Sequence, residues 1–151
     1  MGYCIRAADP GDLDSLILLC REHAVYEGAT YYIEGKKVLL GQALFGNSPR
    51  LYCYVIEFEN ANIGYFSYTF DFSTWAAQQF LYLDCLYLQP AHRGKKIGDI
   101  VFEKLKVIAR DKGCVSIQWQ TPISNHKAIR FYNRMGAEGK DKIRFLLNTN
   151  V

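Results

Sequence analysis

Arg93-Gly94-Lys95-Lys96-Ile97-Gly98 is the strongest chemical signal in the sequence, because it stands between a strand-like run and an amphipathic helix. Glycines let a backbone come close to oxygen atoms, successive amides donate hydrogen bonds, and a helix start adds a favourable potential for an anion. A diphosphate suits such a turn; a basic helix start with no ligand would read the same way. The segment is neither a Walker A motif nor a complete G-x-G-x-x-G fingerprint.

Acidic and aromatic residues supply the second set of candidates. Asp84 interrupts the apolar run Phe80 to Leu88, where a carboxylate either faces solvent or serves a site. Glu27 and Asp71 would give a cationic amine charge-assisted hydrogen bonds if the fold brought them together. Trp75, Tyr68 and Tyr82 could wall a hydrocarbon chain, or pack in a core or an interface. His92 and His126 flank the motifs without an identifiable orienting acid. Cys4, Cys20, Cys53, Cys85 and Cys114 contain no C-x-x-C pair, so they read as reduced core thiols and no metal is expected.

Certain elements must position these groups. Tyr3 to Ala7 predicts a strand. Asp9 predicts a helix cap, with Pro10 in the first helical position and Asp12 three residues past the cap, before an apolar face of Leu13, Leu16, Ile17 and Cys20. Residues 24–49 predict a second short helix between loops. Leu51 to Phe58 and Ile63 to Phe70 predict a hairpin about Glu59-Asn60-Ala61-Asn62, and Phe80 to Leu88 a third strand of this group. A helix from Gly98 closes at Gly113, Val115 to Gln120 is strand-like, and Ser124 is placed to cap a helix that Gly136 stops. Ile143 to Leu147 predicts a last strand. The pattern is a mixed sheet flanked by helices, one domain over residues 1–151.

Composition narrows the partners. The chain has 151 residues and a formal charge of +3, with basic residues gathered mainly after position 92. That favours a local anionic ligand over a nucleic-acid track, and no apolar stretch of about 18 residues is present to span a membrane. A cytoplasmic protein with no nucleic-acid or membrane partner is the expectation.

Through residues 93–98, and through Asn125, Ala128, Phe131-Tyr132 and Gly136-Ala137, the chain resembles the GCN5-related N-acetyltransferases over roughly residues 3–147. Tyr26-Glu27, Tyr68-Thr69-Phe70-Asp71, Leu81-Tyr82-Leu83-Asp84, and the pair Trp119 and Asn125 are similar to the diamine and thialysine acetyltransferase branch. The resemblance implies an α/β fold with a mainly antiparallel central sheet and one splayed parallel strand pair. It implies acetyl-CoA as donor, with Leu86 and Leu88 beside the pantetheine arm. The amides of Arg93, Gly94, Lys95, Lys96, Ile97 and Gly98 would lie at the pyrophosphate, and Asn125 near the cofactor. The family usually has glycine where Lys96 stands, and the branch has glutamate at Asp84 and an acid at Cys85.

By the same resemblance Tyr132 is the acid that protonates the leaving thiolate, and Asp84 helps order the amine. A carboxylate of ordinary acidity taking a proton directly from an alkylammonium works uphill by roughly 8 kcal/mol, so a water relay or capture of neutral amine is expected. The implied reaction is direct acetyl transfer to a primary amine of a small cationic acceptor such as a polyamine or diamine. Glu27, Asp71, Trp75 and Asp84 would form its site, in a homodimer. The alternatives are an amino-acid, aminoglycoside or protein acetyltransferase, and a noncatalytic acyl-CoA sensor.

Overall fold

The computed structural model describes residues 2–150, which divide into two compact units, one ending at Gln120 and one beginning at Thr121. In the first unit five strands lie in sequence order: β1 (Tyr3–Ala7), β2 (Tyr52–Phe58), β3 (Ala61–Ser73), β4 (Gln78–Leu88) and β5 (Ile117–Gln118). The first four pair antiparallel and β5 runs parallel to β4. Helices α1 (Leu13–Tyr26), α2 (Lys36–Phe45) and α3 (Ile97–Asp111) complete this unit, and α4 (His126–Arg134) lies in the second. The mixed, mainly antiparallel sheet expected from the sequence is present.

Alternation divides the sheet into two apolar faces. Val55, Tyr65 and Tyr87 point to the side covered by Leu13, Leu16 and Leu19 of α1 and Leu44 of α2. Tyr54 and Phe66 stack face to face on the opposite side, where Lys104 of α3 reaches the Tyr54 ring at 5.1 Å. Val101 and Leu105 give α3 its fully buried stripe.

The start of α1 follows the expected capping chemistry. Asp9 accepts from the Gly11 amide and Asp12 accepts from the Asp9 amide, closing a capping box across the 3-10 turn Pro10–Asp12. Asp12 also accepts two hydrogen bonds from the Arg6 guanidinium of β1, at 2.8 and 2.9 Å, and one from Asn62 of β3 at 3.0 Å. A buried carboxylate with four donors is satisfied on both oxygens, so it can stay charged inside the fold.

The β2–β3 hairpin is tighter than the four-residue connection expected. Phe58 pairs with Ala61, leaving Glu59 and Asn60 as a two-residue turn with positive φ at both. That combination is the I′ turn that matches strand twist. Gly64 is required by close approach: a Cβ there would sit 2.5 Å from the Tyr87 carbonyl oxygen.

Three expectations are corrected. Helix α4 is capped by Asn125, whose Oδ1 accepts from the Ala128 amide at 3.3 Å, and not by Ser124. The strand expected over Val115 to Gln120 is reduced to two paired residues, because β5 leaves β4 after Gln118. Residues 143–147 form no strand; Ile143, Phe145, Leu146 and Leu147 are exposed, and an apolar run without a partner strand does not hold an extended ladder.

The Arg6 hydrogen bonds hold the Asp12 carboxyl below its ordinary 3.8, at about 2. A depressed folded-state value stabilises the protein above about pH 4, and that contribution is lost as pH falls toward 2. Asp12→Asn is therefore expected to cost about 2 kcal/mol at neutral pH and to flatten the loss of stability between those pH values. Urea denaturation of both proteins at pH 7, 4 and 2.5 measures it; equal slopes against pH would remove Asp12 from this role.

Candidate functional site

β4 carries one residue more than β3 over the middle of their ladder. Ser67 pairs with Cys85 and Tyr68 with Leu83, so Asp84 is the unpaired residue of a β-bulge. In a regular strand Leu83 and Leu86 would point to opposite faces; here they oppose Tyr68 and Phe66 and share one. Cys85 and Tyr87 turn to the α1 face. Asp84 is left exposed between two buried runs.

The other edge of β4 opens at the same place. β4 pairs with β5 only at Leu81 with Ile117 and Tyr82 with Gln118, and among the described residues no strand pairs Leu83 to Leu88 on that side. Leu86 and Leu88, the two positions assigned to the pantetheine arm, therefore lie on a strand edge that no strand covers, where the Leu88 carbonyl accepts from Arg93 Nε. This is the splayed parallel pair that the sequence implied.

Behind Asp84 lies a buried group of hydroxyls and thiols. The Cys85 thiol donates to an Asp84 oxygen at 3.7 Å, and Tyr65, Cys20 and Tyr31 belong to the same buried group. Burial, reinforced by the Asp84 charge, pushes Cys85 up to about 12. Burial also raises Cys20, raises Tyr31 to about 12, and raises Tyr65 further still. The thiols are thus held protonated, which is the wrong state for an acyl-cysteine nucleophile.

Helix α1 brings two polar groups to the same face. His23 Nδ1 lies 2.8 Å from the Tyr65 hydroxyl, His23 Nε2 lies 2.8 Å from a Glu27 oxygen, and the ring stacks on Tyr87. Glu27 is thus already engaged by an imidazole. His23, Tyr65, Cys20 and Tyr31 were not among the sequence candidates. The four-residue helical spacing of His23 and Glu27 was a usable signal; the pairing of His23 with a residue of β3 was not.

The remaining candidates are spread more widely. Asp71 accepts from Thr69 and pairs opposite Phe80, four positions from Asp84 and so about 13 Å along β4. Trp75 stands at the far hairpin turn, 99 % exposed. Within the first unit Asp84 is not joined by Asp71 or Trp75. Asn125 and Tyr132 belong to the second unit, where Asn125 caps α4 and the Tyr132 ring contacts Phe131 at 5.5 Å.

The basic turn has the backbone geometry of an anion cradle with one costly feature. Gly94 takes φ 75°, and Lys96, the residue before α3, takes φ 63° and ψ 18°, the left-handed region that glycine adopts without strain. Lys95 and Lys96 are exposed, whereas Ile97 is buried in the core and fixes the helix start. The Ile97 side chain is thus not available to a ligand. The Arg93 side chain turns back to the fold: its Nε donates to the Leu88 carbonyl at 2.8 Å and its guanidinium covers the Tyr26 ring at 4.4 Å. No group of His, Cys, Asp and Glu suited to a metal occurs among the described residues.

The model of the acetyltransferase (GNAT) family matches residues 17–137. Thialysine N-ε-acetyltransferase of Bos taurus is 32% identical over 142 residues, covering 89% of this chain and 83% of its own length. The same enzyme of Caenorhabditis elegans is 27% identical, covering 82% of this chain and 76% of that one. Among solved structures, an aminoglycoside N-acetyltransferase in complex with CoA superposes with a TM-score of 0.79 at 13% identity, covering 98% of this chain and 95% of that one.

The positive φ at Lys96 yields a prediction. Lys96→Gly removes a left-handed strain of about 1 kcal/mol and is expected to raise the melting temperature by about 2–4 °C. Thermal unfolding of the two proteins checks it. A lower melting temperature would mean that the lysine side chain contributes more than its backbone costs.

Proposed function

We infer the acceptor from one premise: the chain belongs to the acetyltransferase (GNAT) family, and is an acetyltransferase acting on an amine. Acetyl-CoA is the donor that this fold implies. Our reading is that the acceptor is a small cationic primary amine of the polyamine, diamine or thialysine type. The observation that carries it is the exposed Asp84, set by a bulge at the mouth of the β4–β5 opening. The identity to thialysine N-ε-acetyltransferases supports the same acceptor class.

The chain's own residues supply the parts of a direct transfer. The turn from Arg93 to Gly98 holds the pyrophosphate with its amides, and the open edge at Leu86 and Leu88 holds the arm that carries the thioester. Asp84 attracts and orients the amine, which attacks the thioester carbonyl in its neutral form. Tyr132 protonates the departing sulfur, and Asn125 orders the helix that carries it. Fixing two reactants in line and supplying a positioned acid are each large effects. The buried, protonated thiols leave no acyl-cysteine step to be inserted. Glu27 extends the negative field, and Asp71 and Trp75 act at the outer end of a long acceptor or across a homodimer. The exposed Phe72 and Trp75 support such an interface. On this reading residues 1–151 act as one acetyltransferase domain in the cytoplasm.

Amine-dependent release of thiol from acetyl-CoA, measured with a panel of diamines, polyamines, thialysine, amino acids and aminoglycosides, tests the reading directly. Cationic alkyl primary amines are expected to give the highest kcat/KM. Aminoglycosides as the best acceptors would overturn the acceptor class, and donor binding without release would favour a sensor. Tyr132→Phe is expected to lower the chemical step on the order of a hundredfold with little change in acetyl-CoA affinity. Asp71→Asn should lower kcat/KM for a dication more than for a monocation of similar length, and less so at high salt. An unchanged ratio removes Asp71 from recognition.

A further inference from the structure

We propose that Tyr3 and His92 form a latch that presets the donor turn, so that the first strand of the fold contributes to affinity for the diphosphate of the donor. This rests on the reading of residues 93–98 as the pyrophosphate turn. The Tyr3 hydroxyl lies 2.9 Å from His92 Nδ1, a hydrogen bond between residues 89 positions apart. The two rings meet edge to face with centroids at 5.7 Å, the His92 ring packs against Phe58 at 5.2 Å, and Phe58 lies against Tyr3 at 4.6 Å. His92 is therefore half-buried in a socket made by β1 and the end of β2, immediately before the turn begins.

Consecutive side chains straddle the end of the sheet. Ala7 pairs with Tyr54, so Ala7 and, four residues before it, Tyr3 lie on the α3 face, and His92 is fixed there. Arg93 is fixed on the α1 face, where its guanidinium lies 4.4 Å from the Tyr26 ring and 5.5 Å from that of Tyr87. The backbone is tied up to this point: the Gln89 amide donates to the Ile63 carbonyl at 2.9 Å, that of His92 to Gln89 at 3.0 Å, and that of Arg93 to Pro90 at 3.3 Å. Then the ties stop. Among the described residues the amides of Gly94 to Gly98 donate to no other backbone group, and φ is positive at both Gly94 and Lys96. A turn with free amides and a strained residue is held in shape by its two ends, which here are helix α3 and the pair His92 and Arg93.

A phenol both donates and accepts, so the Tyr3–His92 bond forms with either imidazole tautomer and with the imidazolium. The latch is thus a matter of position and not of charge. A ligand that needs the turn amides to converge binds only those molecules in which they do, and its apparent dissociation constant rises as that fraction falls. Packing alone does not call for the nitrogen, because an apolar ring would fill the socket of Tyr3 and Phe58 as well. His92 is a positioning residue on this account: it acts on the donor through the turn that follows it.

The test is calorimetric binding of acetyl-CoA to the full chain in a double-mutant cycle of Tyr3→Phe and His92→Phe, each of which keeps a ring and removes the hydrogen bond. Each single variant is expected to raise the Kd about fivefold, and the double variant no further than either. His92→Asn keeps a polar atom near the place of Nδ1 and should retain the native Kd. If His92→Phe does not fold, Tyr3→Phe and His92→Asn decide. A native Kd in Tyr3→Phe, even with a lower melting temperature, overturns the latch and leaves a contact that serves stability alone. So do losses that add in the double variant, or a loss in His92→Asn as large as in His92→Phe. S-acetylpantetheine, which carries the thioester arm without the diphosphate, tests the reading beneath. A native protein that binds it as tightly as acetyl-CoA, or that binds neither, overturns the pyrophosphate turn and the latch together.

Discussion

β4 contains one residue more than β3 allows for, and the candidate site depends on that mismatch. With Asp84 unpaired, Leu83 and Leu86 share the α3 face, Cys85 and Tyr87 share the α1 face, and the carboxylate stays exposed between the buried Leu83 and the half-buried Cys85. Removing the extra residue would reverse every side chain on one side of it, since strand alternation has a period of two. The bulge also coincides with the point where β5 stops pairing, so an acidic group and an open backbone edge arise together. A regular strand in this position would not leave Asp84 unpaired.

The groups behind the bulge then set what chemistry is available. Thiols pushed up by burial and by a neighbouring carboxylate stay neutral, and a buried phenol among them stays neutral for the same reason. Such a floor is inert as a nucleophile.

Much of this was legible in the residues. The Asp9-Pro10-Asp12 cap, the hairpin about Glu59 and Asn60, the glycine stops at Gly113 and Gly136, and the basic turn before α3 are each written locally, in residue types whose backbone preferences are strong. The bulge was not legible, because Phe80 to Leu88 reads as an apolar run broken only by Asp84, and a bulge is a property of two strands in register. His23 was missed for a related reason: its partner Tyr65 lies 42 residues away on β3. Ile143 to Leu147 erred in the other direction, since a short apolar segment promises a strand only where a neighbour offers its edge. Asp71 and Trp75 have the residue types of an amine site, but the β3–β4 register sets them well along the hairpin from Asp84.

Helix α1 connects the stability of the fold to the site. Its first turn is fixed by the Asp12 carboxylate, which ties it to β1 through Arg6 and to β3 through Asn62. Its last turn and cap carry His23, Tyr26 and Glu27: His23 meets Tyr65 of β3 and Glu27, and Tyr26 lies under the Arg93 guanidinium of the basic turn. A shift of the helix along its axis would therefore strain the buried ion pair at one end and break the imidazole contacts at the other. Arg93 adds a second tie, since the same side chain holds the Leu88 carbonyl at the end of β4 and covers Tyr26. The basic turn and helix α1 are thus braced on one guanidinium. That brace uses no group a phosphate would need, because the neighbouring backbone amides and the exposed Lys95 and Lys96 remain outside it.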